Sequence, residues 1–437
     1  MGEVKFIALN EINLDLAKKY VKRSPGLLPN FEKILTGKII ETKVEDDYHY
    51  LEPWIVWPSV FLGKGADSHN IFHLGDGARV ESKSIFAVIE SLGFKVGAIS
   101  PINAPNDLTS PAFFIPDPWI ETDSDRSMMS RIITNVTRSA VNSNASNRLS
   151  LKDILGLGLI LLRFARLKNY AMYVKYALRA RRKKWYRSLF FDLLMFDIYT
   201  KLAAKKEPDL SFLFLNAGAH IQHHHMFSSI FSDESCRDPQ SSKHYDAIAD
   251  MLAGYDRLLG QCFAQHYQSL VIATGLTQIP YDREKYYYRP RDHEAFLKTL
   301  GVRFERVFPR MSRDFEISFS DAEEMMHAEE TLKLASIGTE EYPVFRVVRI
   351  DALRIFVTLV YARQIQPDDL IKTESAAFLV SDAVDLVAQK NGMHSGKGWA
   401  FFDGDIGDFC PPSESHPKEL FLSVKSIFEA ATCRSVE

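Results

Sequence analysis

The run Leu210-Ser211-Phe212-Leu213-Phe214-Leu215 leads directly into Asn216-Ala217-Gly218-Ala219-His220-Ile221-Gln222-His223-His224-His225. A short, nearly continuous apolar run predicts a strand buried on both faces, which is the habit of parallel sheets covered by helices. The polar and histidine-rich segment after it then falls at the carboxyl end of that strand, where open α/β sheets place their ligand crevice. The same alternation continues outward in both directions. Strands are predicted at Val4–Leu9, Lys95–Ile99, Ser269–Ala273, Phe345–Val348 and Trp399–Phe402. Helices are predicted between them, at Leu14–Val21, Ser84–Leu92, Tyr245–Gln265, Ala352–Ala362 and Ser381–Lys390. The fold class is therefore α/β, a central mainly parallel sheet flanked by helices.

Charged residues make up 25% and hydrophobic residues 46% of the 437, which excludes disorder, collagen and extended coiled coil. Four cysteines without CxxC spacing exclude a zinc ribbon and a dense disulfide framework, and a reducing compartment is expected. Residues 1–10 lack the apolar core and cleavage site of a secretory leader. No apolar run approaches the roughly 18 residues of a membrane span. The expected location is cytoplasmic, with peripheral membrane contact.

Residues 123–147 are rich in Ser and Asn and read as an excursion from the sheet; Leu151–Lys206 has helical period and no strand signal. Three regions follow: 1–122 as the first part of the α/β core, 123–206 as an inserted basic helical cap, and 207–437 as the second part of the core. No acid interrupts the cap between Arg163 and Phe191, while Arg163, Arg166, Lys168, Lys175, Arg179, Arg181, Arg182, Lys183, Lys184 and Arg187 fall there, interleaved with aromatic residues. Such a surface attracts an anionic bilayer or ligand; the alternative is a solvated helix face whose long stems cover apolar surface. The chain as a whole carries a formal charge of −3, and nucleic acid is not expected as a partner.

Candidate chemistry gathers in several places. Asn10 and Glu11 close the first strand, and Glu11 suits a cation ligand, a base or a helix cap. Glu52 precedes Pro53, a residue suited to the first position of a helix, so its carboxylate stands at a helix start. Trp54 and Trp57 follow, either as stacking surfaces for a sugar or base or as core. His220 and His223 are three apart and share a helical face if the segment is helical, within reach of one metal or phosphate. His394 sits in the glycine-rich stretch Asn391-Gly392-Met393-His394-Ser395-Gly396-Lys397-Gly398. Asp117 and Trp119, in Phe114–Trp119, are candidate sugar contacts, and Thr274 and Gln278, which follow the late strand, are further candidate substrate contacts.

Taken in order, these segments resemble the alkaline phosphatase superfamily, in its type I phosphodiesterase/nucleotide pyrophosphatase branch. Leu28-Pro29-Asn30-Phe31-Glu32 looks like that family's helix start after the first strand, and Gly63 with Ser68-His69-Asn70-Ile71 looks like its TG…PESHGI segment. Asp209 through His223, and Met393 through Gly398, look like its two histidine segments. The resemblance implies hydrolysis of phosphate or sulfate esters with two metal ions and a Thr or Ser nucleophile. Several positions depart from it. Asn10 stands where the family's first Asp belongs, Pro53 where the nucleophile belongs, Ala219 where an Asp belongs, and Thr274-Gly275-Leu276 where Asp-His-Gly belongs. His223 and His394 match as metal ligands. What the resemblance implies here is an enzyme with a degenerate metal site, holding one weakly bound divalent ion (Zn or Mn), with Glu11, Glu52, His220 and Asn10 as its working polar groups. Its substrate would be a phosphorylated or nucleotide-linked sugar, as in surface-polysaccharide metabolism. The alternative is a non-catalytic glycan- or nucleotide-sugar-binding protein on the same fold.

Overall fold

The computed structural model describes residues 2–45, 47–142, 150–233, 245–310, 313–338 and 342–434. Among them, strands β1 (Val4–Leu9), β2 (Lys38–Lys43), β3 (Val96–Ile99), β4 (Phe113–Ile115), β5 (Leu210–Leu215) and β6 (Ser269–Ala273) join a later strand in one sheet. With that later strand, β16 (Lys397–Gly404), the order across the sheet is β2-β16-β6-β1-β5-β3-β4. β1 pairs in parallel with both β5 and β6, and β3 with β5 and β4. β16 runs antiparallel to β6 and β2, so the sheet is parallel through its middle and reversed at one side. The expected mainly parallel, helix-flanked sheet is present.

Alternate residues of the central strands enter two separate apolar layers, as the pleat requires. Ile7, Leu9, Leu213 and Leu215 pack into one layer with Leu193, Phe196, Tyr199 and Tyr255 from helices. Phe6, Ala8, Phe212 and Phe214 pack into the other with Trp57, Phe61 and Phe86. Burial on both faces is the reason β1 and β5 are apolar throughout. The Leu28-Pro29-Asn30 segment does begin a helix, Pro29–Thr36, and Asp256 from the helix Ala247–Phe263 accepts the amide hydrogens of Asn30 and Phe31 at 2.8 and 3.0 Å.

The region 123–206 is helical over Met128–Asn142, Leu151–Phe164, Tyr170–Arg179 and Tyr186–Lys206. The excursion's end, residues 143–147, lies outside the described residues. The Tyr186–Lys206 helix is part of the layer that covers the sheet, through Leu193, Phe196, Ile198 and Tyr199. Cys262, Cys410 and Cys433 are free thiols, and Cys236 lies outside the described residues. Among the described residues no helix is long and apolar enough to cross a membrane.

The described chain divides into two compact units. One holds the residues through Asp233, those up to Ile279, and Met393 onward; the other is Pro280–Gly392. The sequence reading divides the chain at 123 and 207, whereas the structure divides it at 280 and 392. The chain passes between the units along β7 (Thr277–Pro290) and β15 (Val384–Ser395), which pair with each other. Between them come β8 (Arg306–Pro309), β9 (Asp314–Ser318), β10 (Ser336–Ile337), β11 (Phe345–Arg349), β12 (Arg354–Leu359), β13 (Leu370–Lys372) and β14 (Ala377–Leu379). They form a four-stranded sheet, β11-β12-β9-β8, and a three-stranded one, β10-β13-β14.

Two helix expectations fail in this second unit. Ala352–Ala362 contains β12, where Ile355, Val357 and Leu359 are buried in alternation, antiparallel to β9 and β11. The period is two, and β-branched side chains suit it. Ser381–Lys390 is a single helical turn, Val380–Ala383, followed by β15. Phe345–Val348 is a strand as expected, but in the antiparallel sheet rather than the central one.

Candidate metal centre

Parallel strands all point their carboxyl ends to one edge of the sheet, and the antiparallel β16 brings its amino end to the same edge. Four chain segments therefore meet there. Glu11 follows β1, Asn216 and the helix Ala217–His225 follow β5, Thr274 follows β6, and His394 precedes β16.

Glu11, His223 and His394 converge at this edge. His394 Nε2 lies 3.1 Å from Glu11 Oε2, His223 Nε2 lies 3.4 Å from the same oxygen, and the two imidazole nitrogens are 3.2 Å apart. A tetrahedral ion with bonds of about 2.0–2.1 Å separates its donors by about 3.3 Å. The three atoms stand at that spacing, so the donor set fits one small divalent ion with a fourth position left over. Glu52 Oε2 lies 3.4 Å from His394 Nδ1. A proton held there on Nδ1 leaves the Nε2 lone pair for the trio, the usual way a carboxylate orients a metal-binding histidine.

The Glu11 carboxylate is fixed from several sides. Asn10 Nδ2 donates to its Oε1 at 3.1 Å, and Gln278 Nε2 donates to its Oε2. Gln278 Nε2 also donates to the Ala219 carbonyl at 3.0 Å. The backbone of Glu11 is in the left-handed region, φ 62°, which a residue with a long side chain adopts only when its surroundings impose it. Its N–H donates to the Thr274 carbonyl at 3.0 Å and its carbonyl accepts from Gln222 Nε2 at 2.7 Å. Burial by itself raises the carboxyl's pKa. The charges of His394 and His223, with hydrogen bonds from His394 and Gln278, outweigh it and hold the group at about 2.

The other expected site residues divide into supports and outliers. Asn10 is buried and fully engaged: its Nδ2 also donates to Asn216 Oδ1 at 2.8 Å, and its Oδ1 accepts from Trp57 Nε1 at 2.8 Å. Trp57 is entirely buried against Phe6, Phe61 and Phe214, so it is core that orients Asn10 rather than a stacking surface. Thr274 is buried too, and its Oγ1 accepts from Trp399 N at 2.9 Å. His220 does not join the cluster. It is exposed and packs on His224 one turn further along, with ring centroids 4.8 Å apart, while the helix turns His223 inward. Trp54, Asp117 and Trp119 belong to a separate knot around Asn103. Asn103 Nδ2 donates to the Trp54 carbonyl at 3.0 Å, and Asp117 accepts from the backbone amides of Asn103 and Trp119. Burial pushes the Asp117 carboxyl up to about 6. His69 is likewise structural. Ile71 N donates to its Nδ1 at 3.0 Å, so its Nε2 carries the proton and donates to Ser59 Oγ at 3.0 Å.

Sequence reasoning missed Gln222, Asn216 and Asp192. Gln222 was readable as the neighbour of His223, whereas Asp192 gave no local signal. It reaches the start of the His223 helix from the Tyr186–Lys206 helix, accepting from Ala217 N at 2.9 Å and from Tyr255 Oη at 2.7 Å. Burial raises its carboxyl to about 6 against 3.8 ordinarily, more than these donors lower it. The folded protein therefore keeps a proton that the unfolded chain releases over that interval. Stability from this group is full below about pH 4 and is lost as pH rises through about 6, roughly 3 kcal/mol in all. Urea unfolding should accordingly show Asp192→Asn gaining about 3 kcal/mol on the wild type between about pH 4 and about pH 7. An unchanged difference between the two proteins would refute a buried, protonated Asp192.

No family model matches the chain, and no curated protein matches it in sequence. Among solved structures it is similar to phosphonoacetate hydrolase from Sinorhizobium meliloti 1021 in complex with phosphonoformate, at 11% identity and a TM-score of 0.44, over 97% of this chain and 95% of that one. It is similar to murine ectonucleotide pyrophosphatase/phosphodiesterase 5, at 11% identity and a TM-score of 0.46, over 98% and 95%. It is also similar to alkaline phosphatase from the Antarctic bacterium TAB5, at 10% identity and a TM-score of 0.39, over 98% of both.

Proposed function

We propose that the protein is a hydrolase of small phosphate-containing anions, working with a single zinc ion held by Glu11, His223 and His394. The observation that carries this is the triangle of donor atoms at 3.1, 3.2 and 3.4 Å. Two imidazoles and one carboxylate suit zinc better than manganese, which favours oxygen-rich shells. When bound, such an ion supplies Lewis-acid polarisation of a phosphoryl oxygen.

The chain's own groups supply the rest. Asn10, Gln278 and Gln222 hold the Glu11 carboxylate and backbone in place. Glu52 orients His394 and, being half-buried at the start of the helix Pro53–Leu62, is the carboxylate with room to take a proton from an attacking water. The amino end of that helix favours an anion beside it. The order of sequence segments that resembles the phosphodiesterase branch supports a phosphate ester, and the phosphorylated and nucleotide-linked sugars read from the sequence are the first substrates to try. Pro53 at the family's nucleophile position favours direct attack by water over a covalent intermediate.

The test is turnover. Chelator-treated protein should be inactive on a panel of nitrophenyl phosphate mono- and diesters, sugar phosphates and nucleotide sugars, and one equivalent of zinc should restore activity. Zinc and ligand binding without turnover of any panel member would instead establish the second reading, a binding protein on the same fold, which Pro53 also favours. Failure to bind zinc would overturn the proposal.

A further inference from the structure

The helices Leu151–Phe164 and Tyr170–Arg179 do not behave like solvated surface helices. Leu151, Leu155 and Leu162 are 79%, 74% and 81% exposed, and Ile154 and Leu159 are exposed as well. They recur every three or four residues, so they form one apolar stripe along the outer side of the first helix. Its inner side, through Ile160 and Phe164, packs into the core. The link between the helices adds Leu167, 86% exposed, and the second helix adds Val174 and Leu178. Covering these side chains with water is unfavourable by the ordinary hydrophobic measure.

Cations surround the stripes. Lys152, Arg163, Lys168, Lys175, Arg179, Arg181, Arg182, Lys184 and Arg187 are all exposed. Asp250 takes up Lys183 at 3.2 Å and lies 3.9 Å from Arg179, while the Asp153 carboxylate is occupied by Ser139 and Ser150. Of the aromatic residues interleaved with the cations, Tyr170 is exposed and the other five are not, too few for a stacking platform. Phe164, Tyr173, Tyr176, Trp185 and Tyr186 are buried, which removes the platform that single-stranded nucleic acid uses. A second copy is also a poor occupant, because an isologous contact would set one basic rim against another.

We propose that this face docks on an anionic lipid bilayer, with the leucine stripes entering the boundary between head groups and acyl chains and the basic rim meeting the lipid charges. An apolar stripe flanked by Lys and Arg is the composition of a helix that lies in the membrane surface. The inference stands independently of the metal centre.

Vesicle flotation tests it. The wild type should float with vesicles of phosphatidylcholine containing about one third phosphatidylglycerol, and stay behind with pure phosphatidylcholine. The pair Leu155→Glu with Leu162→Glu should abolish flotation. Arg181→Glu with Arg182→Glu, or high salt, should weaken it by about tenfold or more. All these side chains are exposed, so unfolding midpoints should be unchanged; the milder pair Leu162→Ser with Leu167→Ser serves if the glutamates perturb folding. No flotation of the wild type, or flotation indifferent to the leucine substitutions, overturns the proposal. So does a wild-type dimer that the leucine substitutions convert to monomer without any vesicle binding.

Discussion

Glu11→Gln should lower zinc affinity more than about a hundredfold, measured by competition with a chromophoric chelator, while Glu52→Gln should lower it about 10–100-fold and keep one site per chain. The first substitution keeps the shape of the side chain and removes the carboxylate oxygen that lies 3.1 and 3.4 Å from the two imidazoles. It also turns an amide NH2 toward at least one of the donors, Asn10 Nδ2 and Gln278 Nε2, that now point at carboxylate oxygens. A mismatched buried donor pair costs about 1–3 kcal/mol, so the metal-free variant should also unfold earlier. The second substitution leaves the trio intact and loosens only the proton on His394 Nδ1. Equal affinities for wild type and Glu11→Gln would show that the triangle is a polar cluster and not a metal site.

Gly398→Ala should destabilise the protein by about 3 kcal/mol or more in urea unfolding and weaken zinc binding with it. A Cβ there would stand 2.2 Å from the Gly275 carbonyl oxygen and 2.6 Å from Thr42 Oγ1. The opposing loop has nowhere to retreat. Gly275 is itself at φ +72°, with the Trp57 ring 2.9 Å from where its own Cβ would be. Backing that loop away would also displace the Thr274 carbonyl, which holds the N–H of Glu11 at 3.0 Å. Gly158→Ala is the contrast. Nothing lies within 4 Å of its Cβ position, it sits inside the helix Leu151–Phe164, and replacement should stabilise by about 0.5–1 kcal/mol. A Gly398→Ala protein as stable as the wild type would mean that β16 and the loop after β6 are not in this contact.

The central sheet was legible because its middle strands are buried on both faces and so are apolar without interruption. β12 and β15 were not, since short mixed segments such as Arg354–Leu359 satisfy a helical and a strand period about equally until a pairing partner is known. The limits of the second unit were missed although its composition differs: 280–392 is richer in charged residues than the rest of the chain and holds none of its Trp or Cys. In the candidate metal centre, Glu11 and His394 could be read because they stand beside β1 and β16, and His223 because its helix starts directly after β5. His220 and His223 looked equivalent by spacing, and only the rotation of the helix on the sheet separates them. Trp57 and Thr274 looked like substrate contacts because sequence conveys proximity to a crevice but not depth beneath its floor. Asp192 lies in a helix whose neighbours give no sign that it will cap another helix.

The second unit is strung between two residues of the metal centre's surroundings. Its chain departs at Pro280, just past Gln278, the amide that holds the Glu11 carboxylate, and returns through Gly392, just ahead of His394. Both ends of that unit thus join the chain two residues from a proposed ligand or from the amide that holds one. Grafting, trimming or exchanging that unit therefore cuts the backbone beside Gln278 and His394.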